Sequence, residues 1–278
     1  MIKKIKENII YILIIIGVIL FANLRLPYYV SAPGGVINIL DRIESKNTDG
    51  TLNMLYVTEY EGTPLTLFMS LFNKNYDVSK IEKMQISNES NEEIKIRNKV
   101  MLDNSINNAL FVAYKNAGLE LKVVQNKNIV IATSKDNGLM VGDIILKCDN
   151  VFINNVSDMK EIINKKSPLE YVNLVIKRDN ITMDIDVQID EDNLIGVMVI
   201  TNYEYDTNDI NIKFKNSEGG SSGGLMLSLA IYQEVSGVDL MKGRNIAGTG
   251  TIDIDGNVGA IDGVKYKIMG AYKNKMDI

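Results

Sequence analysis

Histidine is absent from the 278-residue sequence, and cysteine occurs once, as Cys148. The first absence excludes a Ser-His-Asp triad and a Cys-His dyad, and the two together exclude a zinc site built from His and Cys. A single thiol cannot form an intramolecular disulfide, so cysteine usage carries no information about compartment. A basic surplus is missing too. The net charge is -5 and the isoelectric point near 5.0, the opposite of the basic face a nucleic-acid binder presents. No Gly-x-x-x-x-Gly-Lys-[Ser/Thr] run occurs, so nothing in the chain points to ATP. Any catalysis therefore falls to Ser, Thr, Lys, Asp, Glu or Tyr. The rest is ordinary for a globular chain, 46% hydrophobic and 23% charged, with a length that suits about two domains of roughly 150 residues.

From Ile9 to Ala22 the run IIYILIIIGVILFA carries no charge. With Asn23 and Leu24 it reaches 16 residues, slightly short of the ~17–25 that span a bilayer core. Lys3, Lys4 and Lys6 precede it and Arg25 follows, a bias that holds the N-terminus in the cytoplasm and puts the remainder outside. A cleaved signal peptide needs small residues before the cut, and Phe21-Ala22-Asn23-Leu24-Arg25 is a poor site. Residues 1–27 are therefore read as a cytoplasmic tip and an uncleaved transmembrane anchor in the cell membrane, with a cleaved signal peptide as the first alternative and a buried core helix as the second.

Residues 28–60 read as β-rich: Tyr28-Tyr29-Val30, a turn at Pro33-Gly34-Gly35, then alternating apolar positions over Leu52–Val57. Residues 61–99 are mixed and give no clear period. From Val100 to Ala117 the residues Leu102, Ile106, Ala109, Leu110, Ala113 and Tyr114 form a helical apolar stripe that stops at Gly118. A strand-like Ile129-Val130-Ile131 precedes Gly138-Leu139-Met140-Val141-Gly142-Asp143-Ile144-Ile145-Leu146, and a helix over Val156–Lys165 and strands over Tyr171–Lys177 and Ile181–Ile189 follow. This unit, residues 119–190, resembles a PDZ domain through its G-L-x-x-G-D-I-I-L run and the turn at Asp149-Asn150. Such domains capture extended peptides by adding a strand to a sheet edge. A glycine-rich loop to hold a peptide carboxylate is not visible in it.

Three blocks could carry chemistry. Glu218-Gly219-Gly220-Ser221-Ser222-Gly223-Gly224 has the composition of a flexible linker, but it runs straight into a helical pattern of Leu225, Met226, Leu229, Ala230 and Tyr232. A serine at such a helix start has free backbone N–H groups and a positive dipole end beside it, which suit a developing oxyanion. A phosphate cradle is the alternative, without the lysine of a P-loop. The second block, Gly248 to Gly259, fails as a dinucleotide fingerprint because position 253 is Asp, and as a calcium loop because Val258 stands where glycine is needed. Asp255-Gly256 reads instead as a two-residue hairpin turn. The third is Asp262-Gly263-Val264-Lys265-Tyr266-Lys267, opening a helix with Val264, Ile268, Ala271 and Tyr272 on one face. In a chain without histidine a lysine is the natural base for a serine, provided burial makes it neutral. Periodicity leaves Lys265 and Lys267 as equal candidates.

Together these blocks resemble the proteolytic domain of Lon proteases, and more closely the membrane-anchored, PDZ-containing Lon-like proteases of Gram-positive bacteria. Aligning the family's G-P-S-A-G loop through Leu225-Met226 puts the nucleophile at Ser222, with Gly220 before it, Ser221 where proline is usual and Gly223 where alanine is usual. The family's Thr-Gly pair matches Thr249-Gly250, which implies that the Thr249 hydroxyl contacts the catalytic lysine. The ending G-G-[IL]-x-x-K matches residues 262–267, implying Lys267 as base, with Asp262 in place of a glycine. The implied fold is α+β: a Lon-type proteolytic domain in two parts, 28–118 and 191–278, with the PDZ-like unit inserted between them. The family continues for a strand and helix or more beyond the position of Ile278, so the C-terminus is expected to be incomplete. The implied activity is that of an ATP-independent serine endopeptidase acting on extended peptides or unfolded proteins, with no cofactor or metal. A membrane-tethered PDZ adaptor without catalysis is the alternative, and a homo-oligomer is left open.

Overall fold

The computed structural model describes residues 8–45, 49–87, 89–134, 136–207 and 210–277. Helix α1 (Ile9–Ala22) is apolar all round and buries none of its residues. No helix among the described residues is long and apolar enough to cross a membrane. Lys3, Lys4 and Lys6, on which the expected orientation rests, lie outside the described residues. Strands β1 (Tyr28–Asn38) and β2 (Thr51–Glu61) then pair antiparallel. Pro33-Gly34-Gly35 is not the expected turn but a bulge inside β1, where the register slips between Pro33 and Val36. A Cβ on Gly34 would lie 2.1 Å from the Tyr56 carbonyl oxygen, so only glycine lets the two strands approach there. Helix α2 (Pro64–Ser70), started by a Thr63–Thr66 capping box, leads to β3 (Asp77–Lys80) on the far edge of β1.

The helix expected from Val100 runs as α3 over Asn91–Asn116, 26 residues. Its earlier start is fixed by a Ser90–Glu93 capping box with Glu92 and Glu93 at the positive dipole end. Those first turns are polar, which hides them from a reading based on an apolar stripe. Next come β4 (Val123–Thr133), β5 (Ile144–Cys148), β6 (Val151–Phe152), α4 (Val156–Ile163), β7 (Tyr171–Arg178), β8 (Ile181–Gln188) and β9 (Val197–Tyr205). They form one sheet in the order β8-β7-β5-β4-β9, with β6 beside β5. Val130, Ile145, Leu174 and Ile176 fill its core. The Asp143 carboxylate accepts from the Met140 N–H at 2.8 Å and takes both arms of Arg178, which pins the turn before β5. The boundary expected at 190 divides this sheet, because β9 lies beyond it yet pairs with β4 along its length.

The remaining chain adds α5 (Gly224–Ser236), β10 (Asn245–Gly248), the short β11 (Thr251–Ile252) and β12 (Val258–Gly259), and α6 (Val264–Lys273). Strand β10 joins the first sheet parallel to β2, giving the order β10-β2-β1-β3, so segments on either side of the PDZ-like unit build one body. Along β2 the side chains alternate. Leu52 and Met54 pack into a core with α3 and α5, while Leu55 packs with Ala271 of α6 on the opposite face. Strands β11 and β12 do form a hairpin, but its loop is the five-residue stretch 253–257 rather than a two-residue turn. Asp253 sets that loop by accepting from the N–H groups of Asp255 and Asn257 at 2.9 and 2.8 Å.

Candidate active site and peptide groove

The 218–224 segment is not a free linker but is fastened on both sides. Gly220, at φ +87°, donates its N–H to the Asn98 carbonyl at 2.8 Å, and the Ser105 hydroxyl donates to the Ser221 carbonyl at 3.0 Å. Both partners belong to α3. From the other side the Gly250 N–H and the Thr249 hydroxyl donate to the Ser222 carbonyl at 2.8 and 3.0 Å. Thr249 therefore orients the serine's own backbone, not the lysine as the resemblance implied, because it follows β10 on the α5 side of the sheet. The two glycines after Ser222 are closely packed, Gly223 against a flexible side chain and Gly224 against groups with little room to move. A Cβ on Gly223 would meet the Met54 sulfur at 2.7 Å, and one on Gly224 would meet the Ser105 Oγ at 2.5 Å and Ile252 Cγ2 at 3.0 Å. Ser222 and Gly223 are half-buried, and among the described residues their N–H groups make no backbone hydrogen bond. They form a donor pair beside the Ser222 hydroxyl at the start of a buried helix.

Of the face expected for helix α6, only Ala271 is buried. Val264, Ile268 and Tyr272 are exposed, and the helix turns Tyr266, Lys267, Gly270 and Ala271 inward. Gly270 fixes that rotation, since its Cα side sits against the backbone of Gly35 in the β1 bulge. The two lysines are thereby separated. Lys265 is exposed and pairs with Asp77 at 2.9 Å. Lys267 is 3% exposed, and among the described residues its ammonium has no hydrogen bond or ion pair. Burial pushes the Lys267 pKa below the usual lysine value, and the Asp262 carboxylate pushes it partly back. Cys148 is no rival nucleophile, because burial first, then Asp149, raises its thiol to about 11.

Ser222, Thr249 and Gly250 are thus brought together, with Gly220, Ser221 and Gly223 shaping the loop. Lys267 starts the helix on the opposite face of the sheet, at the same carboxyl end of β2. Strand β10 stops opposite Met54, so beyond that point β2 has an open edge between the two helix starts. No hydrogen bond joins the Ser222 hydroxyl to Lys267. Asn98 and Ser105, which hold the serine loop, carried no sequence signal, since each is one polar residue on a long mixed helix.

A second site lies on the other sheet. A pocket of about 370 Å3 opens between α4 and the start of β9, floored by Met159, Ile163 and Ile195. Strand β9 ends its sheet, so Val197–Val199 present a sheet edge toward α4. Before it, Gly196 stands at φ +69° and its carbonyl accepts from the Ser134 N–H at 2.9 Å. Ile195-Gly196-Val197 is a glycine-bearing segment lining this pocket, beyond the stretch in which the sequence showed no such loop. Lys160 stands at the rim, and Ile86 and Ser87 form a wall contributed from before α3. The Ser87 hydroxyl donates to the Thr133 carbonyl, and a buried ion pair between Glu89 and Arg97, 2.8 Å, fastens that wall to α3.

A family model for the PDZ domain matches residues 100–189, about a third of the chain. The chain contains a PDZ domain, a class of peptide-binding module, within a mixed α+β structure. Among solved structures, the PDZ domain of an SdrC-like protein from Listeria monocytogenes is 21% identical, over 28% of this chain and 92% of that one, with a TM-score of 0.26. No curated protein matches.

Proposed function

We propose that the chain is a membrane-anchored, ATP-independent serine endopeptidase of the Lon-like type, whose PDZ groove receives extended peptide. Ser222 is the nucleophile and Lys267 the base. The Ser222 Oγ attacks the scissile carbonyl while its proton passes to neutral Lys267. The N–H groups of Ser222 and Gly223 stabilise the oxyanion, and the Lys267 ammonium returns the proton to the leaving amine. Water then releases the acyl group by the same route. Helix α1 tethers this body, with the catalytic part extracytoplasmic as the lysine bias ahead of the helix suggests. The observation that carries the reading is a lysine buried to 3% exposure, without a hydrogen bond or ion pair among the described residues, at the same sheet end as a serine clamped to a helix start. A buried unpaired lysine costs stability and is kept where its neutral form has a use.

The absence of a Ser222–Lys267 hydrogen bond, with the two helices on opposite faces, favours a second reading: a tethered PDZ adaptor that binds peptides without cutting them. Labelling with a fluorophosphonate probe separates the two. The full chain in detergent should react at Ser222, and Ser222→Ala and Lys267→Ala should both abolish labelling and cleavage of an unfolded casein substrate. A wild-type chain that captures peptide in the groove but never labels would leave only the adaptor.

A further inference from the structure

Helix α2 and the two residues after it expose an apolar patch that nothing among the described residues covers. Leu65, Phe68, Met69, Leu71 and Phe72 are exposed by 48, 59, 52, 79 and 76%, and none of the α2 residues is buried. Phe68 and Phe72 meet edge to face at 5.0 Å, so the tip is a shaped wedge of two rings. Five large apolar side chains within eight residues exceed the scattered single exposures normal on a soluble surface.

Its position says what it faces. The Leu26 N–H donates to the Gly62 carbonyl at 2.8 Å, and the Gly62 N–H donates to the Tyr28 carbonyl at 2.7 Å. Those bonds tie the exit of α1 to the entry of α2, and the two helices touch. An ion pair of Arg25 with Glu61, 3.0 Å, reinforces the tie. Fourteen helical residues rise about 21 Å, less than the ~30 Å hydrocarbon core. A short apolar helix draws its flanking residues down toward the headgroups, and here the flank is fastened to α2. Lys74, two residues past Phe72, and Lys80, paired in register with Tyr28, add positive charge at the same end.

We propose that Leu65–Phe72 inserts into the interfacial layer of the lipid bilayer beside α1, a second membrane contact that sets the orientation of the catalytic body over the surface. The inference rests on the reading of α1 as an anchor. The patch has the composition of interfacial segments, with aromatic and aliphatic side chains on the lipid side and lysines above them.

The sequence has no tryptophan, so a single one is an unambiguous reporter. The full chain carrying Phe72→Trp is reconstituted in phosphatidylcholine–phosphatidylglycerol vesicles, with and without lipids brominated near the carbonyl end of the acyl chains. Tyr11→Trp on α1 reports the anchor, and Tyr171→Trp on β7 reports solvent. We expect the Phe72→Trp emission to be blue-shifted and strongly quenched by brominated lipid, Tyr11→Trp to be quenched, and Tyr171→Trp to be unaffected. Water-like, unquenched Phe72→Trp emission alongside a quenched Tyr11→Trp overturns the inference and leaves the anchor standing. A blue shift without quenching also overturns it, because the patch is then covered by protein, such as a second copy. If Tyr11→Trp is itself unquenched, the anchor reading fails and takes the inference with it.

Discussion

Replacing Lys267 by methionine should make the protein more stable and inactive at once. Lys267 is 3% exposed and makes no hydrogen bond or ion pair among the described residues, so its ammonium loses hydration that the Asp262 carboxylate offsets only in part. Methionine keeps the unbranched stem that packs in α6 and removes the charge. Replacing buried charged groups by apolar ones of similar volume gains on the order of 1–4 kcal/mol. At about 2–4 °C per kcal/mol for a domain of this size, Tm at neutral pH should rise by several degrees. The pH dependence identifies the cause. Burial lowers the folded-state pKa below the unfolded one, so the unfolded chain binds the extra proton between them and wild-type stability rises with pH through that window. Lys267→Met lacks this slope. Its advantage should be full below the folded pKa, shrink as pH climbs, and vanish near the unfolded lysine value of ~10.4. Denaturant unfolding of both chains from neutral to alkaline pH measures it. A variant that is less stable than wild type at neutral pH, or a difference that does not change with pH, would refute the claim that Lys267 is a buried, unpaired base.

Asp262→Asn removes the carboxylate that opposes the burial effect on Lys267, so the rising limb of the pH–rate profile should move to lower pH and the neutral-pH rate should increase. Gly223→Ala should be nearly neutral in thermal unfolding because the flexible Met54 thioether can yield, whereas Gly224→Ala meets Ser105 and Ile252 and should cost roughly 1–3 kcal/mol. Arg97→Met leaves the Glu89 carboxylate buried without its partner, a loss of about 3–5 kcal/mol in denaturant unfolding, and should also weaken peptide capture by freeing the Ile86–Ser87 wall.

How much of this could be read from residues alone depended on whether the signal was local. Helix α5 and the two strands of the hairpin around Asp255 were legible because their apolar spacing and glycine stops lie within a few residues. The PDZ-like run at 138–146 was legible for the same reason. The Pro33-Gly34-Gly35 bulge was not, because a turn and a bulge use the same residues and only Tyr56, on the partner strand, decides between them. The inward face of α6 was misjudged because Gly270 docks on another glycine, so a contact with no side chain outranked the hydrophobic stripe. Lys265 and Lys267 were indistinguishable until that rotation was known. The pocket-lining segment Ile195-Gly196-Val197 escaped because the sheet takes its edge strand from beyond the segment that looks like the domain.

That last point changes how the two modules can be separated. Deleting residues 119–190 looks clean on a sequence, since Ser222, Thr249 and Lys267 all lie outside. In the fold it removes β4 and strands β9, whose pairing with β4 runs from Val123 to Thr133. It also unsettles α3, whose Asn104 and Asn107 side chains donate to the Thr201 carbonyl and Asn202 Oδ1 of the β9 left without its partner strand. The same helix donates from Asn108 to the Ile252 carbonyl at 3.1 Å and holds the Ser221 carbonyl through Ser105. At its N-terminal end Arg97 fastens the wall of the peptide pocket, and the next residue, Asn98, accepts the Gly220 N–H. One 26-residue helix thus carries the pocket wall, the edge strand and the serine loop on successive turns.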